Sequence, residues 1–89
     1  MRKINCKVYN PLGLNSRVCA ELVAEANRAT NCTVTLYFDE DVADLKSIMN
    51  MMSLIIRTDQ EFSIEINGKD EELVEQKFIN LLTQLKLLK

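Results

Sequence analysis

Two stretches, Gly13-Leu14-Asn15-Ser16-Arg17 and Lys46-Ser47-Ile48-Met49, decide how this chain is read. Each is a short polar lead-in to an apolar-periodic run, the pattern of a loop turning into a helix. A helix start offers unpaired backbone N–H groups and the positive end of a dipole, so both are candidate anion or phosphate sites. The second carries a hydroxyl, Ser47, suited to accept a phosphoryl group. The first is led by the carboxamide of Asn15, which is not.

Working outward from these starts, the flanking segments alternate. Over residues 2–9, Ile4, Cys6 and Val8 point one way and Lys3, Asn5 and Lys7 the other, the period of a strand with one buried face. Asn10-Pro11-Leu12-Gly13 breaks the strand with turn chemistry. Asn15 or Ser16 then caps a helix in which Cys19, Leu22, Val23 and Ala26 recur at helical spacing, ending near Ala29. Val34, Leu36 and Phe38 mark the inner face of a strand over 32–38. Asp39-Glu40-Asp41 reads as a turn without the usual glycine, leading to a short strand at about 42–45.

Lys46-Ser47 opens a second, short helix containing Ile48, Met49, Met51, Met52 and Leu54. A strand over 60–67 places Phe62, Ile64 and Ile66 inside, and Asn67-Gly68 turns the chain. Asp70 is expected to cap a last helix with Glu71 and Glu72 in its first turn and a stripe of Val74, Phe78, Leu81, Leu85 and Leu88. Lys86 and Lys89 would complement the dipole at its far end. The order is β-α-β-β-α-β-α, and the strands are apolar on one face only. That predicts an α+β fold: a four-stranded antiparallel sheet with three helices on one face and water on the other.

Composition narrows the function classes. Eighty-nine residues make one domain, 1–89, and two glycines and one proline leave no linker to divide it. A net charge of −2 argues against direct nucleic-acid binding. No apolar run reaches the roughly 20 residues needed to span a bilayer, and no signal h-region opens the chain, so a cytoplasmic location is expected. There is no histidine, which removes the commonest metal ligand and the usual neutral-pH proton carrier. Cys6, Cys19 and Cys32, widely spaced and odd in number, make a weak zinc case and read as small apolar side chains. Nothing in the sequence calls for a cofactor.

These residues resemble the HPr family, the histidine-containing phosphocarriers of the bacterial sugar phosphotransferase system, over nearly the whole chain. Gly13-Leu14-Asn15-Ser16-Arg17-Val18 is similar to the family's Gly-Leu/Ile-His-Ala/Thr-Arg-Pro. Lys46-Ser47-Ile48-Met49-Asn50-Met51-Met52-Ser53-Leu54 is similar to its Lys-Ser-Ile-Met-Gly-Leu-Met-Ser-Leu. Asn67-Gly68-Lys69-Asp70-Glu71 resembles its lead-in to the last helix. The resemblance implies the HPr-like open-faced β-sandwich.

The departures bear on activity. Asn15 stands at the family's phosphorylated histidine, and a carboxamide nitrogen, delocalised into its carbonyl, is no nucleophile. Asn15, Ser16 and Arg17 are then the remnant of a phosphoryl site, with Arg17 able to grip an anion or to lie free in solvent. Val18 replaces proline, and Asn50 replaces glycine and adds bulk to the second helix. The resemblance makes Ser47 the regulatory serine modified by HPr kinase/phosphorylase; the alternative is an unmodified N-cap serine. Ile48, Met49, Met51 and Met52 are candidates for a protein-binding surface, since so short a helix cannot send all of them inward; Ile48 and Met52 are expected outside.

Two functions of one class compete. One is a non-relaying regulatory protein, similar in logic to the catabolite-repression HPr homologues that assist a catabolite control transcription factor. The other is a competitor of HPr that binds Enzyme I or sugar-specific subunits without relaying phosphate. An enzyme with Cys19 as nucleophile is a minor third, weakened because Cys19 falls on the apolar stripe and no base is at hand. Monomer and dimer, including exchange of the first strand between copies, both stay open.

Overall fold

Every second strand side chain points the same way, and in the computed structural model, which describes residues 1–89, these side chains meet beneath three helices. Strand β1 (Arg2–Lys7) buries Ile4 and Cys6, and β2 (Cys32–Phe38) buries Cys32, Val34 and Leu36. Strand β3 (Asp41–Asp44) buries Ala43, and β4 (Glu61–Gly68) buries Phe62, Ile64 and Ile66. The sheet order is β1-β4-β2-β3 with every pairing antiparallel. Ile64 lies opposite Ile4 on one side and Leu36 on the other, which sets the register of the three longer strands.

Helix α1 (Ser16–Arg28) contributes Val18, Cys19, Leu22 and Ala26 to the core, α2 (Ile48–Met52) contributes Met51, and α3 (Glu71–Gln84) contributes Phe78 and Leu82. The core is one cluster of 21 buried apolar side chains with no buried polar residue among them. At about 1.5–3 kcal/mol for each large side chain taken out of water, this burial fixes the helices to one sheet face. The other face is polar: Lys3, Glu65, Thr35 and Asp44 stand side by side across the four strands. The expected α+β sheet and its element order are observed.

Several boundaries differ from the sequence reading. Strand β1 ends at Lys7, although Val8 is buried and its backbone bonds Gln60 and Asp59. The glycine-free turn after β2 is made by Asp39 at φ 55, a left-handed conformation aspartate tolerates better than most residues. Asp70 stands at the N-cap of α3 but in a left-handed conformation, and its side chain caps nothing.

The largest correction is at the C-terminus. Helix α3 stops at Gln84, so Lys86 and Lys89 lie outside it. Lys86 takes φ 58, Leu87 N–H donates to the Leu82 carbonyl at 2.8 Å, and Lys86 N–H donates to that of Thr83. This is a Schellman ending with lysine in the place glycine usually takes. It sends Leu87 into the core and lays residues 87–89 along β1, where Leu88 bridges Cys6 and Lys7 N–H donates to Leu87. Leu82 and Leu87, rather than Leu81, Leu85 and Leu88, are therefore the fully buried leucines of this end.

Candidate functional site

The loop into α1 is held by Gly13. At φ +72, its backbone lies so close to the strand-side segment that a Cβ there would sit 2.9 Å from the Ile56 carbonyl oxygen. Leu14 N–H donates to that same oxygen at 2.9 Å. The chain then enters α1 with Asn15 extended at the N-cap, its side-chain oxygen accepting from Val18 N–H at 3.1 Å and its carbonyl accepting from Cys19 N–H. Of the two N-cap candidates, Asn15 is the cap and Ser16 is the first helical residue. The carboxamide thus satisfies an orphan donor of the helix by itself. Ser16 and Arg17 are exposed, and Arg17 borders a shallow hollow of about 350 Å³ between the α1 start and Gln84–Leu85.

The second helix start is built differently. Ser47 Oγ accepts from Asn50 N–H at 3.2 Å, capping the five-residue α2, while Ser47 N–H donates to the Asp44 carbonyl. Within the chain the hydroxyl hydrogen of Ser47 has no acceptor, so the oxygen is placed by accepting rather than donating. Lys46 is turned away from it: its ammonium donates to the carbonyls of Ala29 (2.8 Å) and Cys32 (2.5 Å), and its carbonyl accepts from Asn27 Nδ2 at 3.0 Å. Lys46 is therefore pinned to the C-terminal end of α1, which places Ser47 next to it.

Those contacts also set how far apart the two candidate sites lie. Ser47 is beside Asn27, near the end of α1, and Asn15 is at its start; twelve residues at 1.5 Å each separate them by roughly 18 Å. The two are not one site.

An apolar surface lies between them. Ile48, Met49 and Met52 are 42%, 81% and 51% exposed. Met51 is not part of it: it is fully buried, because in this turn and a half the one residue pointing at the sheet is the fourth. Two side chains were not foreseen. Leu12 (79% exposed) and Ile55 (71% exposed) are further exposed apolar side chains, and they line a groove of about 550 Å³ between Pro11–Leu14 and Leu54–Thr58. Both sit in loops, where no periodicity marks a side chain as outward. The bulk that Asn50 adds to the helix is directed back to β3, where its side-chain oxygen accepts from Asp44 N–H at 3.3 Å.

Cys19 is buried on α1, and desolvation raises its thiol pKa, the opposite of what a nucleophilic thiolate needs. Cys6 is pushed up to about 12 by the same cause, and Cys32, also buried, donates its thiol to the Lys69 carbonyl.

Comparison with known proteins places this architecture. The family described as the PTS HPr component phosphorylation site matches residues 3–84. The phosphocarrier protein HPr of Lysinibacillus sphaericus is 31% identical over 80 residues, covering 90% of each chain. The HPr-like protein Crh of Bacillus subtilis is 42% identical over 60 residues, 67% of this chain and 69% of Crh. The histidine-containing phosphocarrier protein of Mycoplasma superposes with a TM-score of 0.90 at 27% identity, covering 99% of both chains. Fold and sequence together define an HPr-like phosphocarrier scaffold of the phosphotransferase system. The chain belongs to the HPr family.

Proposed function

We propose that this chain is a regulatory, protein-binding member of the HPr family that does not relay phosphate through residue 15 and is switched at Ser47. The observation that carries the reading is Asn15 itself. In a helix start that resembles the family's apart from Asn15 and Val18, the residue at the family's histidine position is a carboxamide spent on capping Val18, and the sequence holds no histidine to replace it. Arg17, Ser16 and the open amides of α1 then remain as an anion-binding remnant without a nucleophile.

Ser47 supports the regulatory half. It stands in the Lys46–Leu54 run, with its hydroxyl oxygen held at a helix start and its proton free for transfer to a kinase base as the oxygen attacks the γ-phosphorus of ATP and ADP leaves. A phosphate there adds roughly −1.5 to −2 charges at the end of a helix that favours them. The contact surface is Ile48, Met49 and Met52 with Leu12 and Ile55. Under this reading HPr kinase/phosphorylase is the modifying enzyme and a catabolite control transcription factor the partner, all in the cytoplasm. The test is mass spectrometry after incubation with that kinase and ATP: a single phosphate on Ser47 supports the reading, and an unmodified chain contradicts it.

A second reading is favoured by the exposed Arg17 and the adjoining Leu12–Ile55 groove: a competitor that occupies Enzyme I or a sugar-specific subunit without accepting phosphate. Inhibition of phosphotransfer between purified Enzyme I and HPr by the unmodified chain separates it from the first.

A further inference from the structure

Asn50 stands where one backbone edge and the Ser47 cap meet. Leu45 N–H donates inward to the Val34 carbonyl at 2.9 Å, so by the alternation of an antiparallel ladder Asp44 N–H points away from β2, toward the free edge of the sheet. There the Asn50 side-chain oxygen accepts it, at 3.3 Å. The same residue's N–H is the donor to Ser47 Oγ, and its carbonyl accepts from the Ser53 hydroxyl at 2.7 Å. A five-residue helix does not hold its own first turn by propensity, so the geometry of Asn50 depends on these contacts.

We propose that Asn50 is a positioning residue that couples the Ser47 oxygen to the edge of β3, so that loss or modification of that oxygen uncovers the Asp44 amide. This deepens the reading of Ser47 as the switch and rests on it for its biological use, though not for its test. Esterification makes Oγ a poor acceptor and brings a dianion beside Asp44, whose carboxylate already accepts from Lys46 N–H at 2.9 Å. Lys46 offers no compensating charge, because its ammonium is committed to Ala29 and Cys32. Asn50 N–H then follows the phosphate, and its side chain leaves Asp44. The signal is read along the open edge of the sheet as well as at the apolar surface.

The test needs no kinase: amide hydrogen exchange by NMR on the intact chain and four variants. In Ser47→Ala the Asp44 amide exchanges about fivefold faster, the size expected for losing one N-cap bond, while the core amide of Ile64 is unchanged. Asn50→Ala gives the same acceleration, and adding Ser47→Ala to it gives none further. Asn50→Asp, which keeps the acceptor oxygen, retains slow exchange at Asp44. Unchanged Asp44 exchange in Ser47→Ala, additive effects in the double variant, or acceleration at Ile64 as well would each overturn the coupling. Failure of Ser47 to accept phosphate would remove the switch reading and leave this result standing.

Discussion

The Lys46 ammonium lies 2.8 Å from the carbonyl oxygen of Ala29, the C-cap of α1. It adds a second donor to a carbonyl at the end of the helix that also accepts from Cys32 N–H at 3.2 Å, and it reaches the Cys32 carbonyl at the start of β2 as well. The residue before the candidate switch is thus a tie between α1 and the sheet. Lys46→Met keeps the aliphatic stem and removes both bonds. The expected outcome is a loss of about 1.5–3 kcal/mol in urea unfolding, with no change in the apolar surface beyond α2.

Gly13 gives a second stability test. Gly13→Ala adds a Cβ against the Ile56 carbonyl in a left-handed conformation, so both the clash and the backbone strain act. We expect a loss of about 1–3 kcal/mol, read by urea unfolding, and faster exchange of the Leu14 amide, whose acceptor is that same carbonyl.

The methionines of α2 separate core from contact surface. Met51→Ala is expected to cost about 2–5 kcal/mol, since Met51 is fully buried. Met49→Ala should stay within about 0.5 kcal/mol of the unmodified chain yet weaken binding to a protein partner, because Met49 is mostly in solvent. Paired unfolding and binding measurements check both, and a binding loss in Met51→Ala beyond its fraction unfolded would contradict the assignment.

The C-terminal segment predicts a pH dependence. Glu61 accepts from the Lys89 ammonium, and that bond holds its carboxyl below the ordinary value of 4.5. A carboxylate with a depressed folded-state pKa stabilises above the unfolded value, and the contribution is lost as pH falls through the folded one. Docking of residues 87–89 along β1 should therefore be intact at neutral pH and loosen below 4.5 on acidification. The effect is small for so exposed a pair. NMR titration of the Lys89 amide checks it, and Lys89→Ala should return Glu61 toward its ordinary value.

Much of this was legible before the fold was known, and the reasons are local. Alternation in 32–38 and 60–67 announced β2 and β4 because each buries one face, and Asn15 and Ser47 announced helix starts because capping is a short-range hydrogen bond. Which α2 methionine faces the core was not legible, since five residues carry too little period to fix a phase. Leu12 and Ile55 were missed because loop side chains follow no period at all. The ending of α3 is not legible because a lysine, Lys86, adopts the left-handed geometry whose usual sequence mark is glycine. The second role of Asn50 depends on Asp44, six residues away, and only the fold brings that amide to it.

The central claim concerns residue 15, and the direct measurement is phosphotransfer with Enzyme I and radiolabelled phosphoenolpyruvate. The account predicts no label on the unmodified chain. A covalent label on the unmodified chain, at residue 15 or at any other side chain, would contradict it.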